Sequence, residues 1–419
     1  MPRPHSTTVR AGRVRQGSAI RKGRRSRPAR PAPGRDPCCD QGHIVQPCQD
    51  GGVTSHPDLY AIVPAGGAGT RLWPLSRAGA PKFLHDLTGS GRSLLQTTVD
   101  RLTPLGRGVV VVTGERHVEA VRAQLPGLAP RDLLAEPSPR DSTAAIGLAA
   151  AVLAERHGDP VVGSFAADQV IDAGPGFAEA VRQGVVAARA GHVVTIGIAA
   201  TGPSTAFGYV RSGVSLGLPD APDARVAAGF TEKPDAETAA EYLATGEYRW
   251  NAGIFLVRAQ VLLGHLERLL PQLHTGLREI AAAWDTPRRA DVLERVWPGL
   301  QRIAIDHAVA EPVAAEGGVA VVPGDFAWDD VGDFASLAGL LPAGADDVRV
   351  LGPRDAVLAV DAERPLVAAS SGRLVAVLGL PDAVVVDTPD AVLVTTRDHA
   401  QGVKGVVDAL RAAGREDLL

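Results

Sequence analysis

The chain contains little sulfur and few aromatic side chains. Its only methionine is Met1, and its three cysteines, Cys38, Cys39 and Cys48, all precede the first apolar run. The remainder of the chain therefore forms no disulfide bond and carries no catalytic thiol. Paired zinc ligands are usually separated by about two to four residues, so the adjacent cysteines near His43 are interpreted as incidental thiols.

Long apolar runs and an extended basic surface are also missing. No apolar stretch reaches the roughly 18–20 residues that a membrane-spanning helix needs, so a soluble, cytoplasmic protein is expected. Positions 1–35 carry eleven Lys or Arg and no acid, whereas the remainder carries 32 basic and 47 acidic side chains. An acidic body argues against binding to nucleic acid, which depends on basic patches.

The N-terminal segment differs in composition from the rest. It is rich in Arg, Pro, Ser and Gly and shows no apolar period, which predicts a disordered basic tail over residues 1–55. A transit peptide and a nucleic-acid-binding arm are alternatives. Because Met1 is the only methionine, we favour a mis-assigned start, with the native chain beginning at a valine codon such as Val53.

A glycine-rich loop follows the first apolar run, Tyr60–Ala65, which is typical of a buried strand. Backbone N–H groups of such a loop can approach an anion closely, because glycine has no Cβ to block the approach. Arg71 and Lys82 add positive charge, and no acidic residue lies between them. The pattern predicts a binding site for a triphosphate. The glycines of the loop are Gly66, Gly67 and Gly69.

The spacing of this loop excludes two common phosphate-binding motifs. A dinucleotide-binding fingerprint requires a third glycine where the chain has Leu72, which argues against an oxidoreductase. A Walker A loop requires Gly-Lys-Ser/Thr after four spacers, and the chain lacks it.

Strand-like and helix-like segments alternate from residue 59 to about residue 200. This alternation predicts a mostly parallel sheet covered by helices on both faces, with ligands at the carboxyl ends of the strands. Beyond residue 200 the pattern becomes mixed, and the strand-like run 254–258 is one of its pieces. A Val-rich block from Val348 to Thr396 predicts a compact β extension closed by a helix near Ala400–Ala412. The block has no strict hexapeptide period, which argues against a full left-handed β-helix.

Two aspartates are candidates for a metal site. Asp168 follows the strand-like segment Val161–Ser164, and its carboxylate suits Mg²⁺, which prefers hard oxygen ligands. A helix cap or a turn is the alternative role for Asp168. Asp330 is the second candidate, through the family resemblance given below, and its neighbour Asp329 could be confused with it.

The loop sequence Arg71-Leu72-Trp73-Pro74-Leu75-Ser76-Arg77 resembles the signature of the sugar-nucleotide pyrophosphorylases, and of the mannose-1-phosphate guanylyltransferases in particular. The resemblance covers about residues 59–412, with six motifs in order. It implies an α/β fold with a Rossmann-like, mixed, mostly parallel sheet. The implied nucleotidyltransferase domain spans residues 56–343, and a small β-rich extension with a closing helix spans residues 344–419.

The resemblance assigns phosphate chemistry to the loop and to the two aspartates. It implies that Arg71 and Lys82 are catalytic, because they stabilise the charge that builds on the α-phosphate and pyrophosphate. Asp168 and Asp330 become the Mg²⁺ ligands, and Gln169 stands where the family usually has histidine. The implied nucleotide-binding residues of the loop are Gly66, Gly67, Gly69, Thr70 and Arg71.

The segment 136–146 resembles the family's guanylyl-specific motif. Glu136 is the candidate reader of guanine, because a carboxylate can accept hydrogen bonds from N1–H and N2–H; backbone groups are the alternative readers. Arg140 is assigned to nucleotide binding. Either Asp141 or Ser142 is expected to cap the helix that follows.

Three further motifs resemble the family's sugar-phosphate site. Lys233 is implied to hold the phosphate of mannose 1-phosphate, since an ammonium suits a monoester dianion. Glu232 and Asn251 are implied to bond sugar hydroxyls, and the backbone of Gly208 is implied to approach the sugar. Trp73, Trp250 and Tyr209 are interpreted as packing residues rather than ligand contacts.

The implied reaction joins GTP and mannose 1-phosphate into GDP-mannose and pyrophosphate, with Mg²⁺ as cofactor. One alternative is a pyrophosphorylase for another pair of NTP and sugar 1-phosphate. Another is a catalytically silent homologue that acts as a regulatory subunit. The expected partners are the two substrates, with neither nucleic acid nor membrane, and a homodimer is the candidate assembly. A fused isomerase, as in some family members, is not expected.

Overall fold

A computed structural model describes residues 56–67 and 69–419 of the chain. The predicted disordered tail, its three cysteines and the proposed start at Val53 lie outside these residues. These residues cluster as one compact unit. In the described part of the chain, no helix has both the length and the apolar character needed to cross a membrane.

A nine-stranded sheet forms the centre of the described residues, with the strand order β3-β2-β1-β4-β9-β6-β10-β8-β7. The β3-β2-β1-β4 block is parallel throughout, as is the pair β6 and β10. The remaining pairs, all involving β7, β8 or β9, are antiparallel. The bounds are β1 His56–Ala65, β2 Gly106–Gly114, β3 Leu133–Glu136, β4 Val161–Ser164, β6 Val193–Ala199, β7 Tyr209–Ser215, β8 Arg225–Thr231, β9 Tyr248–Arg258 and β10 Val319–Gly324.

Helices cover both faces of the sheet and bury two apolar clusters against it. The Ala-rich helix α3 is buried along most of its length, so both of its sides pack against other elements. The helices are α1 Leu94–Leu102, α2 Val118–Gln124, α3 Asp141–His157, α4 Pro175–Arg189, α5 Ala236–Thr245, α6 Ala259–Leu269, α7 Pro271–Trp284, α8 Arg289–Val296, α9 Glu311–Ala315, α10 Phe334–Leu340 and α11 Val403–Ala412. Two short strands, β5 Val170–Ile171 and β11 Trp328–Asp329, pair beside the main sheet.

The sequence-based fold class is confirmed: the protein is α/β, with a mixed sheet and a β-rich C-terminal region. Strand β9 begins at Tyr248 rather than at the predicted Ile254. The prediction missed the first half of the strand because residues 248–253 lack the apolar run that marks its second half. Trp250 and Asn251 therefore lie on a strand. The predicted boundary at residues 343/344 stays a prediction; α10 ends at Leu340 and the next strand begins at Arg349.

The C-terminal region forms two parallel ladders, although its sequence has no strict hexapeptide period. One ladder joins β12, β14 and β16, and the other joins β13 and β15. Arg349 pairs with Leu366, and Leu366 pairs in turn with Val384, so successive coils of a short β-helix stack in register. Inward Val and Ala side chains maintain this stacking. The strands are β12 Arg349–Leu351, β13 Val357–Val360, β14 Leu366–Ala369, β15 Val375–Leu378, β16 Ala383–Asp387 and β17 Val392–Thr396.

A third apolar cluster joins the C-terminal region to the glycine-rich loop. It contains Leu72 and Trp73 of the loop, Phe334 of α10 and Leu366 of β14, all of them buried. The β-helix is therefore packed against the loop that is predicted to hold phosphate.

We expect Leu366→Ala to lower the free energy of unfolding by about 2–5 kcal/mol, because it opens a cavity in this cluster. Leu366 is 0% exposed, whereas Leu358, on strand β13, is 51% exposed. Leu358→Ala is the matched control and should change the free energy by less than about 0.5 kcal/mol. Urea unfolding of both variants measures the difference, and equal losses would contradict this account of the cluster.

Candidate active site

The glycine-rich loop lies at the carboxyl end of β1, where it faces open space. Apart from the adjoining residues of the chain, no described heavy atom lies within 4 Å of the point where a Cβ would sit on Gly66 or Gly67. Gly69 has a left-handed backbone (φ 61°), and a Cβ there would meet Lys82 Cβ at 2.8 Å and Ser76 Oγ at 2.9 Å. Glycine is therefore required at position 69 by conformation and by space. Thr70 begins a short 3₁₀ turn directly after the loop.

Lys82 is the buried charge at the centre of the site. Its residue surface is 6% exposed, and its Nζ lies 2.7 Å from Asp168 Oδ2. The same ammonium donates a hydrogen bond to the backbone oxygen of Asp330 at 2.5 Å. The fold thus brings together three residues that the sequence predicts to act together, although 248 residues separate Lys82 from Asp330.

The two neighbouring aspartates have distinct surroundings. Burial raises the pKa of Asp330, the positive charges of Lys82 and Arg71 oppose this rise, and the negative charges of Asp329 and Asp168 add to it. Burial also raises the pKa of Asp329, whose Oδ1 accepts a hydrogen bond from the N–H of Val331 at 2.6 Å. Asp329 therefore closes a local turn, whereas the carboxyl group of Asp330 interacts with the loop cations and with Asp168.

The donor set suits a magnesium ion. Asp168 and Asp330 bring two carboxylates close to the Lys82 ammonium, and Mg²⁺ commonly binds through one or two carboxylates plus substrate phosphates. No group of three or more His, Cys, Asp or Glu side chains with metal-binding geometry exists among the described residues. The arrangement therefore fits a hard cation that shares its ligands with a substrate rather than an all-protein metal cage.

Arg71 contacts the C-terminal region, which sequence reasoning did not predict. Its Nη1 donates to Gln401 Oε1 at 2.9 Å, and Gln401 Nε2 donates to Asp333 Oδ2. Asp333 also caps α10 by accepting from Ala335 N at 2.7 Å. Sequence reasoning missed both residues because their roles depend on contacts across the fold: Gln401 lies outside every recognised motif, and Asp333 lies just beyond one.

Glu136 lies at the end of β3 as a buried carboxyl group. It is 8% exposed, and burial raises its pKa to about 7. Its Oε1 has no hydrogen-bond partner in the described part of the chain. A buried acceptor without a partner is costly, so this group is suited to receive donors from a ligand.

The start of α3 differs in detail from the prediction. Asp141 has a left-handed backbone (φ 67°), and its Oδ1 accepts from Ser142 N at 2.8 Å. The expectation that Asp141 or Ser142 caps the helix was wrong: the N-cap position is Arg140, and no described side chain caps the helix there. The Ser142 hydroxyl instead accepts from Ile305 N at 2.9 Å, because the segment before α9 packs there. Arg140 donates to the carbonyl oxygen of Pro298 at 2.6 Å, which ties one of its guanidinium nitrogens to the protein.

The sugar-phosphate candidates meet around Glu232. A Cβ on Gly208 would collide with Glu232 Oε2, so only glycine leaves room for this carboxylate. The Glu232 side chain is 11% exposed and forms an ion pair with Lys233, whose side chain is 61% exposed. Lys233 has a left-handed backbone (φ 47°), which turns the chain sharply after β8. The mostly buried Glu232 carboxylate therefore lies next to the solvent-exposed Lys233 ammonium.

Asn251 lies close to Glu232, with most of its amide engaged by protein groups. Its Oδ1 accepts from Thr195 Oγ1 at 2.7 Å and from Gly253 N at 3.1 Å, and its Nδ2 donates to Asp306 Oδ1 at 3.0 Å. Asn251 itself is only 6% exposed. One amide hydrogen therefore remains for a ligand, and Asn251 also orients Asp306.

Asp306 is a carboxyl group of this pocket that sequence reasoning missed. Burial and the charge of Glu232 raise its pKa to about 6. It begins a π-helical turn, Asp306–Ala310, a distortion often found at functional sites. No motif marks Asp306, and its only sequence signal is an isolated acid after an apolar run.

Gln169, which replaces the histidine usual in the family, connects the two halves of the site. Its Nε2 donates to the carbonyl oxygen of Ala252 on β9 at 2.9 Å, while its neighbour Asp168 contacts Lys82. Trp73 and Tyr209 are buried, as their interpretation as packing residues requires.

Comparison with known proteins agrees with this geometry. Residues 60–343 match the family described as nucleotidyl transferase, and residues 355–410 match the MannoseP isomerase/GMP-like β-helix domain. A mannose-1-phosphate guanylyltransferase from Escherichia coli K12 is 39% identical over 367 residues, which cover 86% of this chain and 75% of that protein. The xanthan biosynthesis protein XanB of Xanthomonas campestris is 37% identical over the same shares of the two chains.

A solved structure supports the same relationship. A protein from Thermus thermophilus, described as a mannose-1-phosphate geranyltransferase, is 33% identical, with a TM-score of 0.74. The match covers 84% of this chain and 99% of that one, so it includes both the sheet and the C-terminal β-helix. The protein therefore belongs to the nucleotidyl transferase family and, within it, to the mannose-1-phosphate guanylyltransferases.

Proposed function

We propose that this protein makes GDP-mannose and pyrophosphate from GTP and mannose 1-phosphate. The observation that carries the proposal is the buried Lys82 ammonium, held by Asp168 at 2.7 Å and by the Asp330 carbonyl at 2.5 Å beside an open glycine-rich loop. The protein's relatives among the mannose-1-phosphate guanylyltransferases support the same choice of substrates. Because nucleoside triphosphates are made inside the cell, the proposal includes a cytoplasmic location; a homodimer stays a prediction.

In the proposed reaction, an oxygen of the sugar phosphate attacks the α-phosphorus of GTP. A new phosphorus–oxygen bond forms while the bond from that phosphorus to the bridging oxygen of the β-phosphate breaks, and pyrophosphate leaves. The nucleophile arrives ionised, so the protein need not remove a proton. Catalysis then consists of alignment and charge neutralisation, in which Arg71 and Lys82 stabilise the departing pyrophosphate. The loop glycines and Thr70 hold the triphosphate.

Asp168 and Asp330 are the residues that would hold Mg²⁺ in this proposal. When bound, the ion would neutralise phosphate charge. Lys82 has a separate task in the absence of substrate, because it balances the two acidic side chains that lie close to it. The cofactor assignment rests on the donor chemistry described above.

Substrate recognition is divided between two pockets. Glu136 would accept hydrogen bonds from guanine N1–H and N2–H with its carboxylate, whose Oε1 is unpaired among the described residues, and Arg140 would contribute to the nucleotide side. Lys233, the exposed cation of the sugar pocket, would bind the phosphate of mannose 1-phosphate. Glu232 and the remaining amide hydrogen of Asn251 would bond sugar hydroxyls, with the Gly208 backbone close to the ring.

The direct test measures pyrophosphate release with Mg²⁺ for four NTPs combined with the 1-phosphates of mannose, glucose and N-acetylglucosamine. We expect activity concentrated on GTP with mannose 1-phosphate. Asp168→Ala and Lys82→Ala should each reduce it by at least about a hundredfold, because each removes a charge aimed at the phosphates or their metal ion. Lys404→Ala, which truncates a lysine whose side chain is 66% exposed on α11, is the control and should leave activity unchanged.

The same set of substrate combinations distinguishes the proposed function from its two alternatives. Activity centred on another pair would retain the chemistry but overturn the choice of substrates. Binding of nucleotide without turnover on any pair would favour a regulatory subunit.

Gly208→Ala should raise the KM for mannose 1-phosphate by about tenfold or more, while the affinity for GTP stays within about twofold. The added methyl would displace Glu232 Oε2, which occupies its position. Gly202→Ala is the matched control, because no described heavy atom beyond its chain neighbours lies within 4 Å of its Cβ position. Steady-state kinetics with each substrate varied in turn measures both constants. An unchanged KM would contradict the placement of the sugar beside Glu232.

The affinity for GTP should fall as the pH decreases from 8 to 6. Burial raises the pKa of Glu136 to about 7, and only the ionised carboxylate accepts both guanine N–H groups. One unit below that pKa about a tenth of the carboxyl groups are ionised, so we expect about tenfold weaker binding at pH 6.

Calorimetry of GTP binding measures this dependence, and pyrophosphate binding corrects for titration of the phosphates. In Glu136→Gln the residual dependence should match that of pyrophosphate. A wild-type protein whose GTP and pyrophosphate profiles run parallel would assign guanine recognition to backbone groups instead.

A further inference from the structure

The C-terminal region binds three long side chains from residues 71–77, the segment that directly follows the glycine-rich loop. Arg71 donates to Gln401 Oε1 at 2.9 Å. Trp73 Nε1 donates to the carbonyl oxygen of Leu418 at 2.7 Å. Arg77 forms two hydrogen bonds to the carboxylate of Asp390, at 2.8 and 2.6 Å. The partners come from three separate segments of the C-terminal region, so the loop is held by the β-helix and its closing helices together.

Of these three contacts, only that of Arg71 involves a residue of the proposed reaction. The Gln401 side chain offers its amide oxygen as acceptor and its amide nitrogen as donor, and both are used. Arginine can only donate and carboxylate can only accept, so Arg71 and Asp333 fix the orientation of the amide. Gln401 is exposed to solvent, a position in which a glutamine ordinarily needs no protein partner.

The other end of the amide is attached to the segment that carries Asp330. Gln401 Nε2 donates to Asp333 Oδ2, while Asp333 Oδ1 accepts from the N–H groups of Ala335 and Ser336 at 2.7 and 3.0 Å. Asp333 is 5% exposed, so it is a fixed point. Gln401 therefore links the Arg71 guanidinium to the segment that carries Asp330, a predicted magnesium ligand.

We propose that Gln401 is a positioning residue for nucleotidyl transfer: from the C-terminal region, its amide holds Arg71 beside Asp330 in the orientation that receives the triphosphate. This inference rests on the proposed function. An arginine held in place gives up less conformational entropy when it meets the phosphates than a free one, which favours binding and alignment. The C-terminal region thereby forms part of the phosphate site.

The test compares wild type, Gln401→Ala, Arg71→Ala and the double variant. Gln401→Ala should lower kcat/KM for GTP by about five- to tenfold, the effect of one solvent-exposed hydrogen bond of ordinary strength. The KM for mannose 1-phosphate should stay within about twofold of wild type. In the Arg71→Ala background, Gln401→Ala should cause no further loss, since Gln401 acts through Arg71.

Gln260→Ala is the matched control, because Gln260 is also an exposed glutamine with a hydrogen-bonded amide: its Nε2 donates to the backbone oxygen of Gly158 at 3.2 Å, away from the phosphate site. It should leave the kinetic constants unchanged. Thermal unfolding of both glutamine variants should agree within about two degrees, which excludes a general loss of packing.

Several outcomes would overturn the inference. An unchanged kcat/KM in Gln401→Ala, losses that multiply in the double variant, or a gain in activity, which would indicate that Gln401 restrains Arg71, would each do so. If wild type turns over GTP and only the Gln401 effect is missing, the proposed function survives. Calorimetry of GTP binding provides a readout without turnover: Gln401→Ala should weaken binding in wild type and not in Arg71→Ala.

Discussion

The structure of the site depends on one buried charge, the ammonium of Lys82. A buried lysine without a partner would cost several kcal/mol, so its environment must supply compensating oxygens. Asp168 provides a carboxylate at 2.7 Å, and Asp330 provides a carbonyl at 2.5 Å. These partners follow β4 and the short strand β11. Satisfying one charge thus fixes three distant segments around the glycine-rich loop, and these segments are the ones proposed to bind phosphates.

The same constraint explains which parts of the structure sequence reasoning could predict. Residues that follow a strand are placed by the sheet itself, so the glycine loop and Asp168 could be assigned to one edge from local pattern alone. The pairing of Asp168 with Asp330 through Lys82 required the fold, because no local signal relates residues so far apart. Asp306 and Gln401 gain their significance only from side chains on other elements. The β-helix lacks a strict hexapeptide period, yet its coils stack in register, because parallel stacking needs only inward apolar side chains at the paired positions.

In the sugar pocket, Asn251 acts partly through another residue, Asp306. Asn251 is predicted to bond the sugar because an amide can both donate and accept, and the structure engages both capacities within the protein. Asp306 receives one of its amide hydrogens and lies close enough to Glu232 for the two charges to interact. Hydroxyl recognition would therefore depend on two acidic groups whose positions Asn251 and Gly208 jointly determine.

A phosphate loop must satisfy two opposing requirements, and the C-terminal region reconciles them. Glycine gives the loop the close approach that an anion needs, but it also gives the loop conformational freedom that binding would have to remove. Anchoring Trp73 and Arg77 on the C-terminal region restricts that freedom without placing side chains in the open space beside Gly66 and Gly67. The loop then loses its conformational entropy during folding rather than during each binding event. On this argument the C-terminal region contributes to catalysis through rigidity, although in the described structure it lies outside the sheet that positions Asp168.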